Sequence, residues 1–501
     1  MSEPFYITTA ISYPNGKPHI GHAYEAIAAD AMARFRRAQG RDVRLVTGTD
    51  EHGLKMVQTA RGAGQNTKEY ADEMSGYFRK MCDDLNISYD AFVRTTEPRH
   101  YEASKDIWRA MEANGDLYLD RYEGWYSVRD EAYYDDGELV DGEGGERLSP
   151  QGTPVEWTVE ETWFFRLSNY QDKLLQLYRD NPDFIRPESR RNEVVRFVEG
   201  GLKDLSVSRT SFDWGVPVPG SPGHVMYVWV DALTTYMTGV GFPDREGEWA
   251  RYWPADIHLI GKDIVRFHAV YWPAFLMSAG LPLPRQVFGH GFLLARGEKM
   301  SKSLGNVVDP MDLADRFGVD SLRYFLLREI SFGQDGSYSA EAIVSRVNAE
   351  LANSFGNLAQ RSLSMIFKNL GGIIPAEGDA AEDRSLLAQV EEACAALERE
   401  FDRFSFSTGL EAWMGAVFAC NQYVDAMAPW ALRKTDPDRM AAVLGTLAVA
   451  VRMLAVAVQP IIPASAETLI ALIDSGKGGA PIAQPAPIFP RLELPEEEEA
   501  A

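Results

Sequence analysis

Two histidines near the start of the chain, His19 and His22, flank Gly21 in a Pro-His-Ile-Gly-His sequence. Phe5–Ile11 before them predicts a buried strand, and the apolar period that begins at Ala23 predicts a helix. We therefore expect the histidines at a strand-to-helix turn, where backbone N–H groups and the helix dipole favour anions. Each imidazole could donate a hydrogen bond to a phosphate oxygen, and Gly21 would let a flat ligand approach the backbone. Taken alone, the tetrad also fits an ordinary glycine turn.

A second candidate site contains Lys299 and Lys302, which lie three positions apart with Ser301 between them. Glycines precede and follow this segment, so it is predicted to be a loop. A mobile loop with two ammonium groups suits triphosphate binding, because it can close over the negative charge that develops on departing pyrophosphate. Taken alone, the segment also fits a solvated lysine-serine loop.

Together, the His-Ile-Gly-His and Lys-Met-Ser-Lys-Ser sequences resemble the two nucleotide-binding signatures of class I aminoacyl-tRNA synthetases. The surrounding residues resemble the methionyl-tRNA synthetase family over nearly the whole chain. The resemblance implies ATP-binding positions at His19, Gly21, His22, Lys299, Ser301 and Lys302. It implies a catalytic role for His19, His22, Lys299 and Lys302, with Lys302 closest to the triphosphate in the transition state. Catalysis would consist of positioning and charge stabilisation, with Mg²⁺ shared among the phosphate oxygens of ATP.

The resemblance also implies a methionine site. Methionine is unbranched and polarizable, so a selective site should be apolar and aromatic. The matching positions are Ile11, Tyr13, Asp50, Trp229, Tyr236, Asp263, Phe267, His268 and Trp272. Asp50 would pair with the α-ammonium group of methionine. From the residues alone, Asp50 could instead be a capping residue beside a structural His52, and the aromatic side chains could belong to the core.

The chain predicts an α/β fold with a Rossmann-like, doubly wound parallel sheet, because strand and helix patterns alternate from residue 1 to about 115. An inserted connective lobe is predicted for residues 116–223, with a helix in Trp163–Asp180. The sheet is predicted to resume in residues 224–295, with strands in His224–Trp229, Asp256–Gly261 and Val287–His290, and a helix in Ile264–Ala279. The lysine loop follows in 296–339, where the resemblance implies a region contacting the tRNA stem. Long helical patterns predict a helical domain in 340–490, to which the resemblance assigns anticodon binding, and an acidic tail is expected in 491–501.

The helical region contains candidate anticodon contacts, which the resemblance places opposite the CAU anticodon of tRNA(Met). Asn353, Asn357 and Arg361 recur at i, i+4 and i+8, and Pro429 and Trp430 lie between helices. Amides and arginine can read unstacked base edges, and an exposed tryptophan offers a stacking surface. The alternative is a polar outer helix face with a buried tryptophan.

Composition limits the class of protein. The three cysteines, Cys82, Cys394 and Cys420, are far apart, so no disulfide framework or paired-cysteine metal site is expected. This pattern and a start without a signal segment favour the cytoplasm. The apolar stretch Ala441–Pro463 contains Arg452 and is interpreted as a buried helix rather than a membrane span. The net charge of −23 argues against indiscriminate nucleic-acid binding, but local basic faces can still bind tRNA. No further oligonucleotide-binding domain follows the helices, which favours a monomer.

The inserted lobe departs from the pattern of many relatives, which carry a zinc knuckle built from paired cysteines. The corresponding segments here, Tyr126–Glu131 and Arg147–Pro150, contain no cysteine. Isolated Asp, Glu and Arg residues do not make a tetrahedral zinc site, so no structural zinc is predicted.

Three alternative functions remain open from the sequence. A synthetase for leucine, isoleucine or valine is disfavoured because the inserted lobe is too short for a large editing domain. A tRNA-binding relative without catalysis is disfavoured by the intact histidines and lysines. A small-molecule nucleotidyltransferase that shares the histidine tetrad would leave the helical C-terminal region without a purpose.

Overall fold

The computed structural model of the protein describes residues 2–130, 132–142, 145–295, 298–299 and 307–494, with the backbone alone at 122, 132, 160, 295, 298 and 299. It contains two compact units. The first comprises Met1–Ala29 and Arg36–His290, and the second comprises Asp30–Phe35 and Gly291–Ala501.

The strands in the described residues are β1 Pro4–Thr9, β2 Asp42–Thr49, β3 Ala91–Arg94, β4 Leu117–Ser127, β5 Ala132–Tyr134, β6 Val140–Asp141, β7 Arg147–Leu148, β8 Glu156–Phe165, β9 Ile185–Arg186, β10 Leu205–Ser206, β11 Ser208–Arg209, β12 Val225–Met226, β13 Ile257–Gly261, β14 Val287–His290, β15 Leu293–Ala295, β16 Glu298–Lys299 and β17 Gly336–Tyr338. The α-helices are α1 Ile20–Ala38, α2 Leu54–Gly62, α3 Thr67–Asp84, α4 Pro98–Ala113, α5 Gln171–Asp180, α6 Glu188–Glu199, α7 Val228–Thr238, α8 Gly247–Tyr252, α9 Trp272–Ser278, α10 Pro310–Phe317, α11 Val319–Glu329, α12 Ala340–Arg346, α13 Asn357–Asn369, α14 Ala381–Phe401, α15 Phe406–Met427, α16 Pro429–Thr435, α17 Pro437–Val458 and α18 Pro463–Asp474. π-helical turns occupy Phe267–Tyr271 and Val347–Gly356.

A six-stranded parallel sheet in the order β3-β2-β1-β13-β14-β9 forms the centre of the first unit. In β1, Ile7 lies opposite Leu45 on one side and Ile257 on the other. All five residues from Phe5 to Thr9 are buried. The strand order reverses between β1 and β13, and ligands of open α/β sheets bind at the carboxyl ends of the strands at such a point. The predicted doubly wound α/β fold is confirmed.

Several predicted element boundaries in the first unit were wrong. Helix α1 begins at Ile20 rather than Ala23, so His22 lies in its first turn. The predicted strand His224–Trp229 is only β12, which pairs with β11 outside the central sheet, and Trp229 belongs to α7. Helix α7 is buried on nearly every side, so it lacks the amphipathic period that distinguishes a helix from a buried strand.

The span predicted as an inserted lobe contains a four-stranded antiparallel sheet in the order β10-β8-β4-β5. The predicted helix Trp163–Asp180 was wrong in its first half, because β8 continues to Phe165 and α5 begins only at Gln171. Aromatic residues at 163–165 pair across to β4, and this pairing outweighs their local helical pattern. Strand β9 lies in the same span but joins the edge of the central sheet; its two residues are too few to show a period.

The second unit is mainly helical from α10 onward, which includes the span 340–490 that was predicted to be helical. Two short helices, α10 and α11, precede the long helices of this unit. Among the described helices, α17 is the one whose length and composition would allow it to cross a membrane, but most of it is buried inside the protein. It packs against α13, α14, α15, α16 and α18. The interpretation of this apolar stretch as a bundle helix therefore agrees with its packing.

Candidate active site

The histidine turn lies where α1 begins, beside the carboxyl end of β1. The backbone N–H of His19 donates to Nδ1 of His22 over 3.1 Å, and the N–H of Gly21 donates to Nδ1 of His19 over 3.1 Å. Both Nδ1 atoms are acceptors, so each neutral ring carries its proton on Nε2. The two rings stack with their centroids 3.8 Å apart. The turn thus fixes two N–H donors of the kind predicted for phosphate oxygens.

Gly21 is required by the position of the first imidazole. A Cβ atom at residue 21 would lie 2.9 Å from Cε1 and 3.0 Å from Nδ1 of His19. Any side chain there would displace the ring that stacks on His22. The glycine therefore sets the geometry of both histidines, in addition to leaving the backbone accessible.

Five of the predicted methionine-site residues form one aromatic cluster, which consists of Trp229, Tyr236, Phe267, His268 and Trp272. The rings of Trp229 and Phe267 stack 3.9 Å apart at 6°, and both residues are half-buried. The edge of His268 meets Trp229 at 5.8 Å. Trp272 is fully buried and contacts Tyr236 edge-on at 6.3 Å, so it backs the cluster from inside the core.

The polar tips of the cluster are bonded to each other. Nδ1 of His268 donates to the carbonyl oxygen of Ile264 over 2.9 Å, which leaves Nε2 to accept a hydrogen bond from the Tyr236 hydroxyl over 2.6 Å. Burial lowers the pKa of His268 to about 4, so the ring is neutral at pH 7. The pair therefore presents no charge, which suits an uncharged thioether.

A π-helical turn places Phe267 and His268. The helix predicted over Ile264–Ala279 contains Pro273, which lacks the N–H that would donate to the Ala269 carbonyl oxygen in an α-helix. The Tyr178 hydroxyl donates to this oxygen over 2.7 Å instead. The π-helical turn corrects the prediction of one regular helix, and Tyr178 of α5 adds a hydrogen bond to it.

Ile11, Tyr13 and Asp50 come together at the ends of β1 and β2. The N–H of Ser12 donates to the Gly48 carbonyl over 3.0 Å, and the N–H of Asp50 donates to the Ser12 carbonyl over 2.9 Å. These bonds hold the residues on either side of Ser12 beside the Asp50 loop. Asp50 is 8 % exposed.

Asp50 is also within electrostatic range of the aromatic cluster. Burial raises the pKa of Tyr236 well above its usual value, and the carboxylates of Glu25 and Asp50 raise it further. Asp263, at the carboxyl end of β13, is exposed, and a Cβ atom on Gly261 would lie 2.8 Å from its Oδ1. The predicted methionine residues therefore lie in two groups, Ile11, Tyr13 and Asp50 after β1 and β2, and the aromatic cluster, whose Phe267 and His268 follow β13 and Asp263.

Comparisons with known proteins identify the family of the chain. The family model for class I tRNA synthetases (M) matches residues 5–363, and the model for the anticodon binding domain of methionyl tRNA ligase matches residues 374–484. The chain belongs to the methionyl-tRNA synthetase family.

Similar members of the methionyl-tRNA synthetase family match along almost their whole length. The methionine–tRNA ligase of Brucella suis biovar 1 is 58 % identical over 504 residues, which cover 98 % of each chain. The Rhizobium meliloti enzyme of the same name is 57 % identical and covers 99 % of each chain. A solved structure of Mycobacterium tuberculosis methionyl-tRNA synthetase in complex with methionyl-adenylate has a TM-score of 0.94 and 54 % identity, and covers 98 % of this chain and 100 % of that chain.

The lysine loop is described only in part. The backbone of Lys299 belongs to β16, which pairs with β15 so that Lys299 lies opposite Leu294. The Lys299 side chain, and the whole of Ser301 and Lys302, lie outside the described residues. Their assignment to ATP remains a prediction.

In the second unit, two of the predicted anticodon residues meet. The guanidinium of Arg361 lies 5.7 Å from the ring centroid of Trp430 and pairs with Asp425 over 3.1 Å. Trp430 is 50 % exposed, so the alternative of a buried tryptophan is wrong. The predicted place of Pro429 and Trp430 between helices is also wrong, because both belong to the first turn of α16, where Pro429 is buried. Asn353 and Asn357 are exposed, although Asn353 lies in a π-helical rather than an α-helical turn.

The inserted lobe holds a hydroxyl-carboxylate cluster in the segments compared with the zinc knuckle. Oδ2 of Asp130 accepts hydrogen bonds from Ser149 over 2.6 Å, Thr153 over 2.6 Å and Tyr134 over 3.1 Å. Ser127 and Thr153 are linked over 2.6 Å. One carboxylate and several hydroxyls are poor zinc ligands, whereas they can connect the turns by hydrogen bonds alone.

We therefore expect protein purified in the presence of zinc to contain far less than one zinc ion per chain. Treatment with a chelator should leave the melting temperature unchanged, because the cluster needs no metal to join the lobe's turns. Metal analysis by mass spectrometry and thermal denaturation with and without chelator measure both quantities. Stoichiometric zinc whose removal lowers the melting temperature would contradict this prediction.

Some residues around the site were not predicted. Nε2 of His290, at the end of β14, pairs with Glu25 of α1 over 2.8 Å, and burial raises the pKa of Glu25 although the hydrogen bond from His290 opposes this. Asp231 and His100 form a buried group with His52. The sequence did contain a signal for this group, the aspartate inside the apolar run of α7. A carboxylate that is buried with such a run needs hydrogen-bonding partners.

Proposed function

We propose that the chain is a methionine–tRNA ligase, which forms methionyl-adenylate and pyrophosphate from L-methionine and ATP and then transfers the methionyl group to the 3′-terminal adenosine of tRNA(Met). The observation that carries this proposal is the neutral Tyr236–His268 pair within an aromatic cluster, beside the buried carboxylate of Asp50. Such a site matches the uncharged thioether and the cationic α-ammonium group of methionine.

In the first step, a carboxylate oxygen of methionine forms a bond to the α-phosphorus of ATP. The bond from this phosphorus to the oxygen that bridges it to the β-phosphate breaks, and MgATP thereby yields pyrophosphate. His19 and His22 would donate Nε2–H groups to phosphate oxygens, and Lys299 and Lys302 would stabilise the charge on the leaving group. Gly21 and Ser301 complete the proposed ATP contacts. No enzyme nucleophile is needed.

In the second step, a ribose hydroxyl of the 3′-terminal adenosine attacks the carbonyl carbon of the adenylate, and AMP leaves.

The proposed methionine contacts are Ile11, Tyr13, Asp50, Trp229, Tyr236, Asp263, Phe267, His268 and Trp272. The proposed anticodon contacts are Asn353, Asn357, Arg361, Pro429 and Trp430. We also propose the division of the chain into the six residue ranges predicted from the sequence. The protein is proposed to be a monomer, which light scattering tests. A cytoplasmic location is proposed because the widely spaced cysteines suit a reducing compartment.

The decisive experiment measures ATP–pyrophosphate exchange with each amino acid in turn, followed by charging of tRNA. Exchange with methionine and subsequent charging of tRNA(Met) is the expected result. Exchange with leucine, isoleucine or valine in place of methionine would favour another synthetase. Absence of exchange with every amino acid would favour a tRNA-binding protein without catalysis.

Truncation of Trp430 to alanine is expected to weaken tRNA charging without affecting ATP–pyrophosphate exchange. Loss of one base–aromatic stack costs about 1–3 kcal/mol, so KM for tRNA(Met) should rise about 5- to 150-fold. Phe418→Ala is a matched control, because Phe418 of α15 is an equally exposed aromatic residue, at 49 %. Equal effects of the two substitutions on charging would argue against a specific role of Trp430.

Homocysteine is expected to enter the site and to be removed as its thiolactone. An apolar site gains only about 1–3 kcal/mol per methylene, so a substrate that lacks one methyl group is poorly rejected. After activation, the thiol sulfur would attack its own carbonyl carbon, AMP would leave and the thiol proton would be lost. Thiolactone should accumulate with enzyme, ATP and homocysteine. Homocysteine-dependent exchange with no thiolactone above the enzyme-free level would refute this expectation.

A further inference from the structure

Asp231 is a buried carboxylate that holds two histidines from other elements. Its Oδ2 lies 2.6 Å from Nδ1 of His52, and its Oδ1 lies 2.6 Å from Nε2 of His100. The far side of each ring is also bonded, His52 to the Tyr101 hydroxyl over 3.0 Å and His100 to the Thr238 hydroxyl over 2.8 Å. Asp231, His52 and His100 are each 1 % exposed or less, so this network is shielded from solvent.

Asp231 accepts hydrogen bonds from both rings because it is ionised. Burial by itself would raise its pKa, but the charge and hydrogen bonds of His52 and His100 outweigh burial and lower the pKa to about 2. The side chain therefore keeps its charge throughout the neutral range. A charge-assisted hydrogen bond of this kind is stronger and more directional than a neutral one.

The first ring that Asp231 holds belongs to the loop that carries Asp50. His52 follows Asp50 by two positions, and the same loop is fixed by Trp214, whose indole N–H donates to the Glu51 carbonyl over 2.6 Å. The N–H of Gly53 donates in return to the Trp214 carbonyl over 3.2 Å. The backbone on both sides of His52 is thus anchored, and Asp231 fixes its side chain.

The helix that carries Asp231 also carries part of the aromatic cluster. Trp229 and Tyr236 lie on α7, two positions before and five positions after Asp231. Methionine has several rotatable bonds, so a site must fix the distance between its thioether contacts and its ammonium contact to gain from both. The bond between Asp231 and His52 joins the two structural elements that supply these contacts.

We propose that Asp231, acting through His52, is a positioning residue that holds the Asp50 carboxylate at the correct distance from the aromatic cluster for recognition of the α-ammonium group. This inference rests on the proposed function. Asp231 itself touches no substrate in this scheme. Asp231 affects the affinity for the ammonium group only through the position that it gives to the Asp50 loop.

The test compares two non-reactive ligands, the adenylate ester of L-methioninol and its analogue without the amino group. Calorimetry on the full chain gives the affinity ratio of the amino ligand to the desamino ligand. Wild-type protein should favour the amino ligand, and Asp231→Asn should reduce this ratio at least about tenfold while leaving the desamino affinity nearly unchanged. A purely structural role would instead weaken both ligands equally and leave the ratio unchanged, which would overturn the inference.

A matched control is Asp116→Asn in the same unit. Asp116 is also a buried carboxylate, with hydrogen bonds from Ser278 over 2.6 Å and Asn114 over 2.7 Å, and its substitution should leave the ratio at the wild-type value. A wild-type ratio near one would show that Asp50 does not bind the ammonium group, and would overturn the inference together with that part of the proposed function.

A second pair of variants decides the question if Asp231→Asn does not fold. His52→Ala removes the donor to Asp231, whereas His52→Asn keeps an N–H group near the position of Nδ1. The ratio should fall in His52→Ala and recover in His52→Asn. Equal ratios in the two variants would overturn the inference.

Discussion

Replacement of Lys302 by alanine is expected to lower kcat for ATP–pyrophosphate exchange about 100- to 1,000-fold, the usual effect of removing one group that stabilises transition-state charge. Negative charge grows on the departing pyrophosphate during the reaction, so a lysine that binds this group contributes more to the transition state than to the bound substrates. KM for methionine should therefore change little, because the amino acid does not depend on this ammonium group. Steady-state exchange kinetics at varied methionine and ATP measure both parameters.

The control for this variant is Lys203→Ala, which removes an exposed lysine that pairs with Asp135 in the inserted lobe. It should exchange at the wild-type rate. Lys302→Arg keeps the charge and should recover part of the activity. If Lys302→Ala exchanged at nearly the wild-type rate, the proposed role of the lysine loop would have to be abandoned.

Replacement of Asp50 by asparagine is expected to lower kcat/KM for methionine about 30- to 5,000-fold. This corresponds to about 2–5 kcal/mol, the cost of truncating one partner of a buried charge pair. Asparagine has nearly the same shape, so the main loss is the negative charge that would face the α-ammonium group. Asp50 is only 8 % exposed and is within electrostatic range of Tyr236. Water can therefore compensate little for the lost interaction with the ammonium group. KM for methionine should rise strongly, and KM for ATP should change little.

Asp116→Asn again serves as the comparison, since it neutralises a buried carboxylate of the same unit away from the Asp50 loop. It should retain wild-type kinetics for methionine. An Asp50→Asn enzyme whose kcat/KM for methionine lies within about threefold of the wild-type value, far from the expected loss, would show that Asp50 does not bind the α-ammonium group. The fold of each variant is checked by thermal denaturation.

The sequence by itself determined the features that depend on local order or on residue type. The turn at His19 and His22 follows from a strand pattern next to a helical pattern, and the α/β class follows from the repetition of that alternation. The lack of paired cysteines in the inserted lobe, and the aromatic character of the runs around Trp229 and Phe267, are matters of composition. These features are present in the chain before it folds.

Only the tertiary structure decided which of those residues meet and in what chemical state. His52 and Asp231 are 179 positions apart, and Tyr236 and His268 are 32 apart. No period in a sequence encodes a contact between distant segments. The His52–Asp231 pair was therefore not predicted, and Tyr236 and His268 were placed in one site by the family resemblance alone. The protonated nitrogens of His19 and His22 depend on backbone N–H groups whose direction is set by the turn. Trp229 was assigned to a strand because a helix buried on all sides has no polar face, and packing alone distinguishes the two.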